Sequence, residues 1–183
     1  MTREEFAHVV KAAAYIVKDE IVVVGSQSVL GQFPDAPPSL LRSQEVDVYP
    51  RSNPDRSEAI DGAIGDGSMF HAEYGYYAHG VGPETITAPA GWQGRLHRVE
   101  LPALRKKDGT VVCWCLEVHD LVLAKLAAGR AHDYEFVDDA LREGLVGLEQ
   151  LRRGLDLMPD SDRERVRDRL EGAAARTTAP PAP

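Results

Sequence analysis

The chain has 183 residues, of which 43% are hydrophobic and 27% are charged, a balance typical of a globular protein with one sizeable core. Its formal net charge of −8 excludes a protein that coats nucleic acid through bulk electrostatic attraction, although a local basic cleft could still bind an RNA end. There is no signal-peptide pattern, no long apolar run and no disulfide framework, so we expect a cytoplasmic protein.

The N-terminal part alternates helical and strand-like segments. Thr2 and Glu5 have the spacing of a capping box, and periodic apolar residues behind them predict a helix. The β-branched run DEIVVVG predicts a buried strand that stops at Gly25, and SQSVLGQF predicts one or two helical turns. After a Pro-rich loop, EVDVYP predicts a second strand closed by Pro50, followed by a short helix around residues 56–64.

The next segment, MFHAEYGYYAHGVGPETITAPAGW, is rich in glycine and tyrosine. Its pattern predicts one irregular or short strand, with a further strand from Thr85 to Thr87. Four aromatic side chains in this segment could stack a nucleobase, or they could be ordinary core and loop packing: Phe70, Tyr74, Tyr76 and Tyr77.

The C-terminal half contains a predicted hairpin followed by helices. RLHRVELPAL and TVVCWCLEV predict two strands joined by an Asp108-Gly109 turn, and helical periodicity begins at Val118. We therefore predict an α/β (α+β) fold with a mixed sheet flanked by helices. The predicted organisation is a core over residues 1–117, a C-terminal helical part over 118–175 that packs on this core, and a disordered tail over 176–183.

The junction at Gly25-Ser26 is the first candidate site. A strand that ends on Gly-Ser and enters a helix presents free backbone N–H groups and a hydroxyl, which together suit a phosphate. The same junction is also common as a plain turn.

Two carboxylates, Glu45 and Asp47, are two residues apart on the second predicted strand. Alternation along a strand directs both to the same face. Two acids on one face are unfavourable unless they are paired or bind a cation, and Mg²⁺ takes one or two carboxylates while it bridges substrate phosphates. The alternative is an edge strand with a solvated acidic face.

A lysine interrupts the apolar stripe of the helix that begins near Val118. Lys125 either extends along the edge of this stripe to reach solvent, or directs its ammonium group into a cleft that holds a triphosphate. Arg130 and Asp133 follow a glycine. Arg130 could pair with Asp133 or Glu135, and Asp133 could cap the next helix.

The histidines and cysteines do not predict a zinc site. His71, His79, His119 and His132 have no ligand-like spacing, and Cys113-x-Cys115 has no second pair of ligands. On a strand these cysteines share one face, so we interpret them as small core side chains.

Gly25-Ser26 followed by Glu45-x-Asp47 resembles the signature of the nucleotidyltransferase superfamily. The later segment LEVHDLVLAKLAAGRAHDYEFV resembles the lysine and aspartate motifs of the AbiEii-type (MenT-like) toxin nucleotidyltransferases. The resemblance covers about residues 20 to 140. It implies the minimal nucleotidyltransferase fold and a Mg²⁺-dependent attack of an acceptor hydroxyl on the α-phosphate of a nucleoside triphosphate, with release of pyrophosphate.

The same resemblance implies roles for individual residues. Gly25 and Ser26 would bind phosphate, and Glu45 and Asp47 would bind Mg²⁺. Lys125 would contact the triphosphate, Arg130 would belong to the nucleotide site, and Asp133 would be the late acid of the motif. The superfamily also has a third carboxylate on a neighbouring strand, for which the sequence offers Glu100 and Glu117 without a clear pattern.

We therefore expect a nucleotidyltransferase that acts on a hydroxyl of RNA, with the 3′ end of tRNA as the acceptor implied by the toxin resemblance. That resemblance also implies a cognate antitoxin as partner. Two alternatives remain open at this point: a catalytically degenerate module that binds a nucleotide or a partner, and an enzyme that modifies a small molecule such as an antibiotic.

Overall fold

The computed structural model describes residues 1–103 and 109–178. Eight α-helices are present in this part of the chain: α1 (Arg3–Val17), α2 (Val29–Gln32), α3 (Ser57–Ile64), α4 (Met69–Tyr74), α5 (Val118–Ala128), α6 (Ala131–Arg142), α7 (Leu148–Leu155) and α8 (Asp160–Thr178). The five strands described are β1 (Ile21–Val24), β2 (Glu45–Pro50), β3 (Tyr77–Gly80), β4 (His97–Pro102) and β5 (Thr110–Cys115).

The strands form one mixed sheet in the order β3-β2-β1-β5-β4. β1 pairs antiparallel with β2 and parallel with β5, while β2 pairs parallel with β3 and β4 pairs antiparallel with β5. All four residues of β1 are buried, as expected for a central strand made of isoleucine and valine. The predicted fold class, a mixed sheet flanked by helices and followed by a helical C-terminal part, is confirmed.

The chain forms two compact units. Among the described residues, the first unit comprises Met1–Ile86 and the part of the chain between Arg95 and Glu117, with all five strands, and the second comprises Thr87–Gly94 and residues 118–178. In the first unit, α1 contacts β1, β2, β3 and β5 and also packs against α3. In the second unit, α5 contacts α6, α7 and α8, so this helix is the centre of the bundle.

Helix α1 begins with the capping box that the sequence predicts. The Thr2 hydroxyl accepts a hydrogen bond from the Glu5 backbone N–H at 3.2 Å, and the Glu5 carboxylate accepts one from the Thr2 N–H at 2.7 Å. Two N–H groups without helical partners are thereby satisfied. The apolar face behind them, which includes Phe6 and Val10, is fully buried.

The break between α5 and α6 is stabilised by an arginine from α8. Gly129 has φ of +67°, and an added Cβ there would overlap the guanidinium of Arg169. Arg169 donates to the carbonyls of Leu126 at 2.6 Å and Ala127 at 3.0 Å. A cation therefore caps the carboxyl end of α5, where the helix dipole favours positive charge.

The glycine- and tyrosine-rich segment contains one helix that was not predicted and lacks one strand that was predicted. Met69–Tyr74 is helical, because the Ser68 side chain caps its first turn and Gly75, with φ of +76°, ends it. The predicted strand from Thr85 to Thr87 is absent, since Pro83–Thr85 forms a 3-10 turn instead. The short strand predicted in this segment is β3.

Other predictions meet the limits of the described chain. The antiparallel pairing of the predicted hairpin is confirmed, but Asp108 of its predicted turn lies outside the described residues. Helix α8 continues through Thr178, so residues 176–178 of the predicted tail are helical, and 179–183 lie outside the described residues. None of the described helices is long and apolar enough to cross a membrane.

Candidate active site

Polar side chains cluster where β2 and β3 begin. The parallel register places Glu45 beside Tyr77 and Asp47 beside His79. Because side chains alternate along each strand, these four residues share one face of the sheet. Val46, between the two acids, is fully buried on the other face. The alternation of EVDVYP therefore combines a core face with a polar face.

The three possible metal ligands of this cluster lie close to one another. His79 Nδ1 lies 3.1 Å from Asp47 Oδ1 and 3.5 Å from Glu45 Oε1. One ligand atom from each of the three residues lies within 4.8 Å of the other two. The His79 side chain is 50% exposed, that of Asp47 28% and that of Glu45 36%. An ion and a substrate could therefore reach all three.

A tyrosine orients the first acid. The Tyr77 hydroxyl donates a hydrogen bond to Glu45 Oε2 at 2.8 Å, while Glu45 Oε1 faces His79. The hydrogen bond to the carboxylate, followed by burial and the negative charge of Glu45, raises the pKa of Tyr77 to about 12. Tyr77 therefore stays protonated at neutral pH and remains a hydrogen-bond donor.

Asp47 is held in an environment that disfavours its charge. Burial is the main cause, and the negative charge of Glu45 and a hydrogen bond shared with it act in the same direction, so that the pKa of Asp47 is raised to about 6. Burial lowers the pKa of His79, but its hydrogen bond to Asp47 and the charges of Glu45, Asp47 and Asp61 outweigh this effect, and its pKa is raised. The carboxylates around His79 therefore favour its protonated, positively charged form.

The Gly25-Ser26 junction lies directly against the second acid. Val24, the last residue of β1, pairs with Asp47, and Gly25 follows with φ of +67°. A Cβ on Gly25 would overlap Asp47 Oδ2 and lie 3.1 Å from Asp47 Cγ. Ser26 then begins a short 3-10 turn, and the Ser28 hydroxyl donates to the Gly25 carbonyl at 2.8 Å. The absence of a side chain at Gly25 is what allows the carboxylate to sit there.

His79 on β3 occupies the position beside the two acids on the neighbouring strand. Glu100, one of the acids considered for a third carboxylate, lies on β4, at the opposite edge of the sheet from β3, and pairs there with Arg98. Glu117 follows β5 and is likewise not on a strand adjacent to β2. Sequence spacing missed His79. The signal available was its position two residues after Tyr77 in the strand-like run YYAHG.

The donor set fits a divalent cation. In an octahedral site with ligands about 2.1 Å from the ion, adjacent ligand atoms are about 3.0 Å apart. The His79–Asp47 and His79–Glu45 separations of 3.1 and 3.5 Å are close to this spacing without any rearrangement of the strands. Glu45, Asp47 and His79 can therefore act as ligands of one ion.

The remaining predicted site residues lie in the C-terminal unit. Lys125 Nζ and Asp133 Oδ1 are 2.9 Å apart, and their side chains are only 8% and 5% exposed. Asp133 Oδ2 also accepts a hydrogen bond at 3.1 Å from the backbone N–H of Arg130, which precedes the first turn of α6. The Lys125 ammonium group lies 4.7 Å from the centre of the Phe136 ring. Lys125 is thus a buried cation with a carboxylate and an aromatic partner, and Asp133 caps α6.

The aromatic residues separate into two groups. Phe70, Tyr74 and Tyr76 pack around the imidazole of His8, and the Tyr76 hydroxyl lies 2.9 Å from His8 Nδ1. This arrangement matches the packing alternative for these three rings. Tyr77 instead binds Glu45 and contacts the ring of His71.

The mixed sheet carries paired acids at the start of β2, next to a Gly-Ser junction at the end of β1, as the resemblance to the nucleotidyltransferase superfamily implies. Residues 4–172 match the family described as nucleotidyltransferase of unknown function (DUF6036), and the chain belongs to this family. Comparison with curated proteins and with solved structures found no significant match. This match supports the assignment of the chain to the nucleotidyltransferase superfamily, but it does not identify the narrower AbiEii/MenT-like group.

Proposed function

We propose that the protein is a metal-dependent nucleotidyltransferase in which Glu45 and Asp47 hold the ion that binds the nucleoside triphosphate. The observation that carries this proposal is the convergence of Glu45, Asp47 and His79 within 4.8 Å, next to a glycine whose missing side chain makes room for Asp47. Two carboxylates on one strand face have no evident use in packing. They are well suited to a cation that must also contact phosphate oxygens.

The residues of the sheet unit account for binding and orientation of the triphosphate. Glu45 and Asp47 would hold the ion, which would neutralise part of the phosphate charge. Tyr77 fixes Glu45 with its hydrogen bond of 2.8 Å, so that this carboxylate needs little reordering when it binds. The backbone N–H groups and the hydroxyl at Gly25-Ser26 then bind phosphate, because the chain there leaves a strand and enters a helical turn.

The proposed reaction is a transfer of the nucleotide to a hydroxyl. The acceptor oxygen forms a bond to the α-phosphorus, the bond from this phosphorus to the α,β-bridging oxygen breaks, and pyrophosphate leaves, while the hydroxyl proton passes to water. The protein contributes by positioning the two reactants and by stabilising the developing charge, which are the main sources of rate in phosphoryl chemistry.

We also propose that Lys125 contacts the triphosphate and that Asp133 and Arg130 belong to the same motif. What supports this proposal is the sequence resemblance together with the unusual burial of a lysine that has one carboxylate partner. A carboxylate at 2.9 Å can orient such a lysine as well as neutralise it. The competing interpretation is that the pair only stabilises the helical unit.

For the acceptor we propose the 3′ end of an RNA, with tRNA as the first candidate, and a toxin role restrained by a cognate antitoxin in the cytoplasm. The support for these finer points is the resemblance of the lysine and aspartate segment to the AbiEii/MenT-like toxins. The net charge of −8 means that RNA binding would depend on local basic groups.

The test is a transfer assay with purified full-length protein, each of the four α-labelled nucleoside triphosphates, Mg²⁺ or Mn²⁺, and total tRNA. We expect label in RNA for at least one nucleotide, with a loss of at least about a hundredfold in Asp47→Asn. Glu100→Gln, which changes an acid on the opposite edge strand, is the matched control and should retain activity. Absence of transfer with all nucleotides, or equal transfer by Asp47→Asn, would contradict the proposal.

One observation favours a second candidate, a module that binds nucleotides without transferring them. The neighbouring-strand position holds His79 and not a third carboxylate, so one negative ligand of the superfamily pattern is missing. Such a module would release heat on binding a metal–nucleotide complex in calorimetry but would form no pyrophosphate. A transferase would release heat on binding and would also form pyrophosphate.

A further inference from the structure

We propose that the site selects a first-row transition-metal dication, with Mn²⁺ as the representative ion, over Mg²⁺, because His79 supplies a third ligand from β3. This inference builds on the proposed function, since it concerns the ion at the same site. The proposed function leaves open which ion the ligands prefer, and His79 is the residue that sets this preference.

The pairing of β2 with β3 places His79 beside the two acids. Asp47 and His79 are paired across β2 and β3, so the backbone of the sheet, and not a flexible loop, holds imidazole and carboxylate together. Nδ1 is the ring nitrogen that faces both acids, at 3.1 Å from Asp47 Oδ1 and 3.5 Å from Glu45 Oε1. An ion placed among these three atoms would take the place of the hydrogen that His79 and Asp47 now share.

The three ligands combine carboxylate oxygens with an imidazole nitrogen. Mg²⁺ is a hard ion that is bound by oxygen atoms and retains several waters, whereas an imidazole nitrogen favours transition-metal ions. Two carboxylates and one imidazole leave the other coordination positions free for water and for phosphate oxygens. Replacement of a third carboxylate by neutral imidazole also removes one negative charge, which weakens the attraction for a hard ion further.

The simplest competing role for His79 is that of a cation which neutralises Glu45 and Asp47 without binding metal. In that case the histidine would occupy the space of the ion and would have to move away when an ion binds. The two roles differ in a property that spectroscopy measures directly, which is whether a nitrogen nucleus couples to the electron spin of bound Mn²⁺.

The experiment uses the full-length protein and Mn²⁺ alone, without nucleotide. Mn²⁺ binding is titrated by electron paramagnetic resonance, Mg²⁺ is added as competitor, and pulsed measurements record the ¹⁴N coupling. We expect one site that binds Mn²⁺ at least about tenfold more tightly than Mg²⁺ and that shows one histidine nitrogen. In His79→Ala the coupling should disappear and Mn²⁺ affinity should fall about tenfold or more.

Two further variants keep the result interpretable. His79→Asp restores a third charged ligand, so we expect Mn²⁺ binding without nitrogen coupling and Mg²⁺ affinity within a few fold of that for Mn²⁺. His97→Ala, which removes an exposed histidine from β4 at the other edge of the sheet, should leave both the affinity and the coupling unchanged. Thermal unfolding of each variant verifies that it is folded.

The outcomes separate this inference from the proposed function. Bound Mn²⁺ without nitrogen coupling in the unchanged protein, or equal Mn²⁺ affinity in His79→Ala, overturns the inference even if nucleotide transfer is observed. A clear nitrogen coupling together with failure of the transfer assay leaves the metal assignment intact and rejects the transferase.

Discussion

Gly25 and Asp47 are in direct contact across the first two strands of the sheet. The Asp47 carboxylate lies against the α-carbon of Gly25, and a Cβ at that position would overlap Asp47 Oδ2. The same glycine has a positive φ of 67° that directs the chain out of β1 and into the Ser26–Ser28 turn. Gly25 thus shapes the turn and also leaves space for the Asp47 carboxylate. The Gly-Ser and Glu-x-Asp parts of the signature are therefore in physical contact.

We predict that Gly25→Ala abolishes metal binding. The substitution forces alanine into a backbone conformation with φ of 67° and ψ of −170°, a region almost restricted to glycine that costs on the order of 1–3 kcal/mol, and it also displaces the Asp47 carboxylate. Gly75→Ala is the matched control, since Gly75 has φ of +76° and no atom within 4 Å of its added Cβ. Both variants should lose stability in urea unfolding, but only Gly25→Ala should lose Mn²⁺ binding; retention of full binding by Gly25→Ala would contradict the prediction.

The raised pKa of Asp47 should make the stability of the metal-free protein depend on pH. Its pKa of about 6 in the folded protein exceeds the ordinary value of 3.8, so the folded state binds the proton more tightly than the unfolded chain does. The resulting stabilisation is complete below pH 3.8 and is lost as the pH rises through 6. Its size is on the order of 2–3 kcal/mol.

We therefore expect Asp47→Asn to lack this pH dependence and to be more stable than the unchanged protein at pH 7 in the presence of a chelator. Urea unfolding from pH 4 to pH 8 measures the effect. Asp55→Asn, at an exposed position of a surface turn, should follow the unchanged protein at every pH. Parallel pH curves for Asp47→Asn and the unchanged protein would show that the environment of Asp47 does not disfavour its charge.

Tyr77→Phe should weaken metal binding without unfolding the sheet. The hydroxyl donates to Glu45 Oε2 at 2.8 Å, and loss of a partner that orients a ligand typically reduces metal affinity by about tenfold or more. Tyr76→Phe provides the comparison. It removes the contact with His8 and should cost about 1 kcal/mol of stability, with metal affinity unchanged. If both variants bind Mn²⁺ like the unchanged protein, Tyr77 does not orient Glu45 for the ion.

Lys125→Met should destabilise the helical unit strongly. It leaves the Asp133 carboxylate, which is 5% exposed, without its cation, and the loss of one partner of a buried pair costs about 3–5 kcal/mol. The double variant Lys125→Met/Asp133→Asn should recover most of this stability, because an asparagine oxygen can still accept from the Arg130 N–H. Arg142→Met, from an exposed ion pair with Asp139, should cost less than about 1 kcal/mol.

The double variant also tests the proposed role of Lys125. If the lysine contacts the triphosphate, the KM for the nucleotide stays raised in Lys125→Met/Asp133→Asn although stability has recovered. A double variant with normal nucleotide kinetics would reduce the pair to a structural role.

Much of the fold could be predicted because its signals are local. The capping box of α1, the valine run of β1 and the alternation in EVDVYP each specify an element within about ten residues of sequence. Helix α4 was missed because its six residues are too few to display a helical period, and its limits depend on Ser68 and Gly75. The strand predicted at Thr85 to Thr87 failed because β-propensity without a partner strand does not form a sheet.

The candidate site divides in the same way. Residue type and period two were sufficient to predict that Glu45 and Asp47 share a face, because side-chain alternation is a property of any strand. No local pattern could predict that His79, 32 residues beyond Asp47, joins them. That contact depends on the parallel register of β2 and β3, which is set by long-range pairing and by burial of Val46 and Val48 on the other face. The sequence thus identified the two acids, whereas the histidine ligand, and with it the preference for an ion, follows from the pairing of strands.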